Sequence, residues 1–154
     1  MLSLVDYISL CDGILHPERF SDYCPNGLQI EGKSTIQRVV TGVTACQALI
    51  DAAIEQQADA ILVHHGYFWK SEPPQIVGFK QKRIKSLLLN DINLLGYHLP
   101  LDGHAKLGNN AELGKLWQLE DITPEPGLLR LGRLKESMNI KDFHTLISKS
   151  LNRE

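Results

Sequence analysis

The sequence predicts an α/β fold whose sheet is mostly parallel or mixed and is flanked by helices. Three observations support this fold class: a β-branched run at residues 38–44, two further apolar runs at 58–63 and 92–98, and helical periodicity between these runs. With 154 residues, 43% of them hydrophobic, the chain suits one domain with a substantial core. An alternation of strand and helix favours parallel pairing, because parallel strands need crossover connections.

The first element is expected to be a helix. Leu4, Tyr7, Ile8 and Cys11 recur at helical spacing, and Ser3 is suited to cap the N-terminus. Residues 16–32 are rich in turn-forming residues and predict a loop.

The later elements follow from the same patterns. After the strand at 38–44, Thr44 and Gln47 have the spacing of a capping box for a helix that continues to about Gln57. Residues 79–90 predict the next helix, and Asn109 or Asn110 is expected to cap another. Towards the end, residues 128–134 predict a strand and residues 140–151 carry a helical apolar stripe.

Composition narrows the function classes. The net charge of −2 does not favour nucleic acid or an anionic membrane, and no apolar run approaches the length of a membrane span. The N-terminus lacks the basic start of a signal peptide. Three widely spaced cysteines predict neither a disulfide framework nor a zinc knuckle, so we expect a reduced, cytoplasmic setting.

Polar residues cluster where two successive strands are predicted to end. His64 and His65 follow the run at 58–63, His98 closes the next run, and Asp102 and His104 come shortly after. Ligands of parallel sheets bind beyond the carboxyl ends of the strands. Adjacent strand residues face opposite ways, so His64 and His65 could serve two neighbouring ions. Imidazoles with a carboxylate suit zinc, iron, manganese or nickel; His104 is expected to be a loop or capping residue.

Structural explanations compete with functional ones at each of these positions. Histidines at strand ends are often structural, but the convergence of His98 and Asp102 favours metal. The basic residues at 80–85 are expected to form a solvated helix face, with phosphate contact as the alternative. The aromatic residues 67–69 could stack a base or sugar, or pack in the core or against another subunit. Asp22 and Glu31 could approach the site, although turn chemistry alone explains their loop.

Three segments resemble the NIF3-like family, also called DUF34, whose bacterial members are often named GTP cyclohydrolase 1 type 2 homologues. These segments are DYCPNGLQIEG (22–32), RVVTGVTACQALIDAAIEQQADAILVHHGYFW (38–69) and LLGYHLPLDGHAKLGNNAELGKLW (94–117). The resemblance implies a toroidal homohexamer with two divalent metal ions per full-length subunit. By position, His64, His65 and Asp102 match family metal ligands, and His98 lies beside the site as a candidate proton-transfer residue.

The resemblance also implies a longer protein. Family members carry a further histidine and a bridging glutamate near the C-terminus, so this chain is expected to be an N-terminal part. Residues 1–126 would form the metal-site lobe and 127–154 the start of a following segment, and the chain alone would bind metal weakly. The expected function is a metal-dependent hydrolase acting on a nucleotide or related heterocycle. The alternative is a non-catalytic metal-binding scaffold that acts through its ring-shaped oligomer.

Overall fold

The computed structural model describes residues 1–121 and 128–153, which form two compact units, Met1–Pro100 and Leu101–Glu154. The boundary predicted between residues 126 and 127 lies outside the described residues. Within them, no helix combines the length and apolar character needed to cross a membrane. The elements in chain order are β1 (Leu2–Ser3), α1 (Leu4–Leu15), a 3-10 turn (Pro17–Arg19), β2 (Gly27–Ile30), β3 (Thr35–Ile36), β4 (Val39–Thr44), α2 (Gln47–Glu55), β5 (Ala60–His65), α3 (Gly78–Leu89), β6 (Asn93–Gly96), α4 (Leu99–Gly103), α5 (Asn109–Leu116), β7 (Leu119–Asp121), β8 (Gly132–Leu134) and α6 (Ile140–Leu151).

The first unit is built on a mixed four-stranded sheet, which confirms the predicted α/β class. Its strand order is β2-β6-β5-β4, with β4, β5 and β6 parallel and β2 antiparallel to β6. The register pairs Thr44 with His65, and Val63 with Gly96. The carboxyl ends of the three parallel strands therefore meet at one edge of the sheet, where the predicted site residues begin.

The core of this unit lies between the sheet and helices α2 and α3. Ile61 and Leu94 of the central strands are fully buried, and they cluster with Ile50 of α2 and Leu87 of α3. Central parallel strands are covered on both faces, which explains why β5 and β6 are nearly continuous apolar runs rather than alternating ones. The histidines begin where this apolar run stops.

Helix α1 begins and ends as its sequence suggests. The Ser3 hydroxyl accepts a hydrogen bond from the Asp6 amide at 3.1 Å, so the predicted N-cap is confirmed. His16 ends the helix in the left-handed conformation, and its amide donates to the Asp12 carbonyl. Leu4, Cys11 and Leu15 form the buried face.

Two other predicted caps are wrong. Cys46, not Thr44, occupies the N-cap of α2 and makes no side-chain cap bond, because Thr44 is still the last residue of β4 and faces His65. Gly108 precedes α5, so Asn109 lies inside the helix instead of capping it. Helix α2 thus begins two residues later than the capping-box spacing predicts, whereas α5 begins one or two residues earlier than a cap at Asn109 or Asn110 predicts.

The sequence pattern also missed three features of the first unit. Strand β2 lies inside the predicted loop at 16–32, and residues 99–103 form the short helix α4. Lys80 was expected on a solvated face, yet it is only 9% exposed. Its ammonium lies 3.2 Å from the Glu72 carboxylate and 5.0 Å from the centre of the Phe68 ring, which stabilises the buried charge.

The second unit contains the hairpin β7-β8 and helices α5 and α6. The predicted helix at 140–151 is confirmed, and Asn139 caps it by accepting from the amides of Lys141 and Asp142. Trp117 Nε1 donates to Ser150 Oγ at 3.0 Å, which links the end of α5 to α6. The predicted strand at 128–134 is present only as β8.

Asp59 precedes β5 and accepts three hydrogen bonds at the end of the sheet opposite the histidines. Its carboxylate accepts from Lys33 Nζ at 2.7 Å and from the amides of Gln37 and Arg38 at 2.9 Å. The hydrogen bond from Lys33 lowers the pKa of Asp59; burial opposes this effect, and the two amides reinforce it. Because the folded-state pKa is depressed, the stabilisation is present above the ordinary value of about 3.9 and is lost as the pH falls through the lowered value.

We therefore expect Asp59→Asn to lower the free energy of unfolding by about 1–3 kcal/mol at pH 7, since it removes the charge from three hydrogen bonds. Urea unfolding measured at pH 7 and again below pH 3 checks this, and the difference should shrink in acid. Glu55→Gln, at an exposed position of α2, is the matched control. An equal loss at both pH values would contradict the assigned role of the carboxylate.

Candidate metal centre

Three imidazoles converge at the carboxyl edge of the sheet. His64 and His65 are the last residues of β5, and His98 follows β6 by two residues. The ring centres of His64 and His65 are 4.4 Å apart, and that of His98 lies 5.0 Å from His64 and 5.7 Å from His65. One ligand nitrogen from each ring lies within 4.8 Å of the other two. The structure thus brings together the three histidines that the sequence placed at strand ends.

Hydrogen bonds fix the tautomers of two of these rings. His64 Nδ1 lies 3.2 Å from the Tyr97 carbonyl, and His98 Nδ1 lies 2.8 Å from Asp22 Oδ1. A carbonyl and an ionised carboxylate only accept, so each Nδ1 carries a hydrogen and donates it. In the neutral rings the lone pair then resides on Nε2. His65 Nδ1 lies 3.2 Å from the Thr44 hydroxyl, which can either donate or accept.

Asp22 is a buried carboxylate that contacts His98. Its side chain is 3% exposed, and it accepts hydrogen bonds from His98 Nδ1, Asn26 Nδ2 and the amides of Leu99 and Tyr23. Burial raises the pKa of Asp22, but these hydrogen bonds outweigh it and hold the pKa at about 2. The carboxylate therefore stays charged and orients the His98 ring.

Cys24 stands beside this carboxylate. Its Sγ lies 3.9 Å from Asp22 Oδ1, and Asp22, Cys24 and His98 form a second group with ligand-type geometry. Burial, and then the adjacent Asp22 charge, raise the pKa of the Cys24 thiol to about 11. Without a metal, Cys24 is thus a buried thiol that donates to Asp22.

The chemistry of the three-imidazole group fits a divalent transition metal. Zn–N bonds of about 2.0–2.1 Å place two nitrogens of a tetrahedral ion roughly 3.4 Å apart, so nitrogens within 4.8 Å need only a small closure. Metal-binding histidines commonly donate their second nitrogen to a carbonyl or carboxylate. His64 and His98 already make such bonds, to Tyr97 and Asp22.

Gln29 of β2 holds the turn that follows the histidines. Its Oε1 accepts from the Tyr67 amide at 2.7 Å, and its Nε2 donates to the Pro25 carbonyl at 2.8 Å. The Gln29 amide occupies the space that side chains would need at Gly66 and Gly96. A Cβ would lie 2.1 Å from Gln29 Oε1 at Gly66 and 2.7 Å from Nε2 at Gly96. Glycine is required at these two positions by packing.

The aromatic residues 67–69 separate into different roles. Tyr67 is 6% exposed, and its hydroxyl donates to the Ala45 carbonyl, so it belongs to the core. Phe68 adopts a positive φ of 66° and packs its ring edge against Tyr67. Trp69 turns back to the site, with its ring centre 4.9 Å from that of His98. The core alternative is therefore correct for Tyr67, while Trp69 lies at the site.

The remaining candidates have local partners. Asp102 lies in α4, and its Oδ1 accepts from Asn109 Nδ2 at 2.8 Å; its part in metal binding stays a prediction. His104 Nδ1 accepts from the amides of Lys106 and Leu107 in the turn between α4 and α5, so His104 is the loop residue that was expected. Glu31 follows Ile30, at the end of β2 that lies farther from the histidines, because the other end, Gly27, pairs with Gly96.

Sequence reasoning underrated Asp22 and missed Gln29. Both lie in or beside the predicted loop at 16–32, and their partners are distant in sequence: His98 for Asp22 and Tyr67 for Gln29. The one available signal was the run of polar residues around the Pro25-Asn26-Gly27 turn. That signal indicates a turn and does not reveal its partners.

The comparison with known families agrees with this geometry. Residues 2–154 match the model of the Duf34/NIF3 (NGG1p interacting factor 3) family. The chain belongs to this family. The resemblance stated from the segments at 22–32, 38–69 and 94–117 is thereby confirmed.

Several bacterial relatives carry the name GTP cyclohydrolase 1 type 2 homolog. The one from Haemophilus influenzae is 60% identical over 144 residues, covering 91% of this chain and 57% of that protein. The one from Pseudomonas aeruginosa is 50% identical over 158 residues, covering 99% of this chain and 63% of that protein. The chain thus spans about three fifths of the length of these relatives.

Solved structures share the fold. Protein ybgI, described as of unknown function, superposes with a TM-score of 0.93 at 48% identity, covering 99% of this chain and 62% of that one. The protein TTHA1606 from Thermus thermophilus superposes with a TM-score of 0.85 at 34% identity, covering 96% and 61%. Both likenesses extend over nearly all of this NIF3 chain.

Proposed function

We propose that this NIF3 protein is a cytoplasmic metal-dependent hydrolase with a dinuclear metal site. The observation that carries the proposal is the convergence of three imidazoles at the carboxyl edge of the sheet, two of which donate from Nδ1 to a carbonyl or a carboxylate, as metal-binding histidines commonly do. Three free cysteines support a reducing compartment. Zinc, iron, manganese or nickel suits such donors.

His64 and His65 are proposed as metal ligands, together with Asp102 by its match to the family pattern. The bond from His64 Nδ1 to the Tyr97 carbonyl holds the ring so that Nε2 is its ligand atom. When bound, the metals would lower the pKa of a coordinated water towards about 7 and polarise the bond under attack. One ion for each histidine of the pair is proposed from the family resemblance, with the two ring centres 4.4 Å apart.

His98 is proposed to transfer the proton. Asp22 keeps the His98 ring oriented through its Nδ1, so Nε2 is the atom that accepts a proton from water or returns it to the leaving group. The Asp22 carboxylate, with its pKa at about 2, also stabilises the imidazolium that forms. Asp22 is thus a positioning residue that acts through His98.

The proposed substrate is a nucleotide or related heterocycle, which the names of the relatives support. A homohexamer with a ring shape is proposed from the family resemblance. The alternative function is a non-catalytic metal-binding scaffold acting through that ring. Metal content would be the same under both proposals, so turnover is the observation that separates them.

The test is turnover of GTP and a panel of other nucleotides by metal-loaded protein, followed by chromatography of the products. We expect metal-dependent turnover that a chelator abolishes. His98→Asn keeps a donor for Asp22 and should lower the turnover rate by about 10²- to 10⁴-fold with metal content unchanged. Loss of metal in this variant would make His98 a third imidazole ligand. A fully loaded protein without turnover on the panel would favour the scaffold.

A further inference from the structure

We propose that Tyr23 and Trp69 form a stacking surface beside His98 for the planar ring of a phosphorylated heterocycle, with Lys70 contacting the phosphate. The proposal rests on the proposed function, because it places this ring next to the metal centre. It adds the residues that would select a ring over other phosphorylated compounds.

Two aromatic rings from distant segments flank the same imidazole. The Trp69 ring centre lies 4.9 Å from that of His98 and 6.0 Å from that of His65, and the Tyr23 ring centre lies 6.5 Å from that of His98. Trp69 meets His98 edge to face at 82°, so it does not stack flat on the imidazole. We infer that a ligand ring can use the remaining aromatic surface.

Hydrogen bonds connect the two segments that carry Tyr23 and Trp69 and hold the Trp69 ring. The Lys70 amide donates to the Tyr23 carbonyl at 2.7 Å, which ties the two segments together directly at the aromatic positions. Trp69 Nε1 donates to the Gly66 carbonyl at 3.3 Å. The positive φ of Phe68, which is costly for a bulky residue, turns the chain so that Trp69 returns to the histidines. Such preorganisation lowers the entropic cost of binding.

Tyr23 is exposed and Trp69 is half-buried, unlike the core aromatic residue Tyr67 nearby. Tyr23 is 63% exposed, whereas Tyr67 is 6% exposed with its hydroxyl bonded to the Ala45 carbonyl. Core packing therefore accounts for Tyr67 but not for Tyr23. Lys70, next to Trp69 in sequence, is also exposed. Aromatic faces together with a cation match a planar ring that carries an anionic group.

The experiment measures binding of three probes with a chelator present, so that metal does not contribute. Trp117→Phe leaves Trp69 as the only tryptophan of the two in the sequence. We expect GMP and guanosine to quench Trp69 fluorescence saturably and ribose 5-phosphate to leave it unchanged. By calorimetry, Trp69→Leu and Tyr23→Leu should weaken GMP binding about 5- to 100-fold, the usual range for one stacking contact.

Matched variants separate stacking from general damage. Tyr23→Phe should retain GMP binding, and Lys70→Gln should weaken binding of GMP but not of guanosine. Phe79→Leu, at an exposed aromatic position of α3, is the control and should change nothing. GMP binding that is equal in the parent, Trp69→Leu and Tyr23→Leu would overturn the proposal, as would equal affinity for guanosine and ribose 5-phosphate.

Failure of this proposal and failure of the proposed function give different results. Chelated protein that binds GMP through Tyr23 and Trp69, but shows no turnover when metal is restored, would support the stacking surface and contradict the hydrolase. Metal-dependent turnover that is unchanged in Trp69→Leu and Tyr23→Leu would support the hydrolase and contradict the stacking surface.

Discussion

Replacing His64 and His65 together by alanine is expected to weaken metal binding by more than about 100-fold while the protein stays folded. Losing a single residue that only orients a ligand costs about 10- to 100-fold in metal affinity, so losing two ligands should cost more than about 100-fold. Both side chains are half-buried at the end of β5, beyond the fully buried Ile61. Their removal should leave the sheet and the helices that cover it intact.

Cobalt absorption titration and elemental analysis measure the loss, and circular dichroism checks the fold. His144→Ala removes an exposed histidine from α6 and serves as the matched control, with metal binding unchanged. Asp102→Ala, measured in parallel, tests the ligand that the family pattern predicts. Unchanged metal stoichiometry in the double histidine variant would show that the imidazole cluster is structural.

The part of the site that the sequence could predict is the part carried by consecutive residues and parallel topology. His64 and His65 end an apolar run, and His98 follows the next such run. Parallel pairing of β5 with β6 brings these two chain positions to one edge whatever the details of packing. Hydrophobic periodicity was therefore enough to predict that three imidazoles come together.

The supporting residues could not be predicted because their partners lie far along the chain. Asp22 bonds to His98, 76 residues away, and Gln29 bonds to the Tyr67 amide, 38 residues away. Both contacts depend on strand β2, which pairs antiparallel with β6. The turn-forming residues on either side of β2 hide this strand in the sequence pattern. A short strand inside a turn-rich segment gives almost no periodic signal.

The incorrect predictions for Thr44 and Lys80 have a different cause. The capping-box spacing of Thr44 and Gln47 is genuine, but tertiary pairing with His65 extends β4 through Thr44 and shifts the helix start to Gln47. Lys80 was expected in solvent because lysine usually is, yet the Phe68 ring and the Glu72 carboxylate offer it a partly buried position. In both cases a contact between elements overrode a preference read from neighbours in sequence.

Gly66→Ala is expected to be the most destabilising small substitution near the site, lowering the free energy of unfolding by about 2–4 kcal/mol. The new Cβ would lie 2.1 Å from Gln29 Oε1. The end of a glutamine is normally free to move, but this amide is held between the Tyr67 amide and the Pro25 carbonyl. The substitution must therefore break a hydrogen bond to buried backbone as well as overpack the turn, and these costs add.

A double-mutant cycle with Gln29→Ala isolates that contact. Gln29→Ala alone should destabilise the protein, because it leaves the Tyr67 amide without its acceptor. In the Gln29→Ala background, however, the methyl group of Gly66→Ala meets vacated space, so its cost should nearly disappear. Gly13→Ala is the matched control: no atom lies within 4 Å of its Cβ position, and alanine in the α1 interior should stabilise by up to about 1 kcal/mol. Urea unfolding of the four proteins measures the cycle. Additive effects of Gly66→Ala and Gln29→Ala would mean that the cost of the Gly66 substitution does not come from contact with the Gln29 amide.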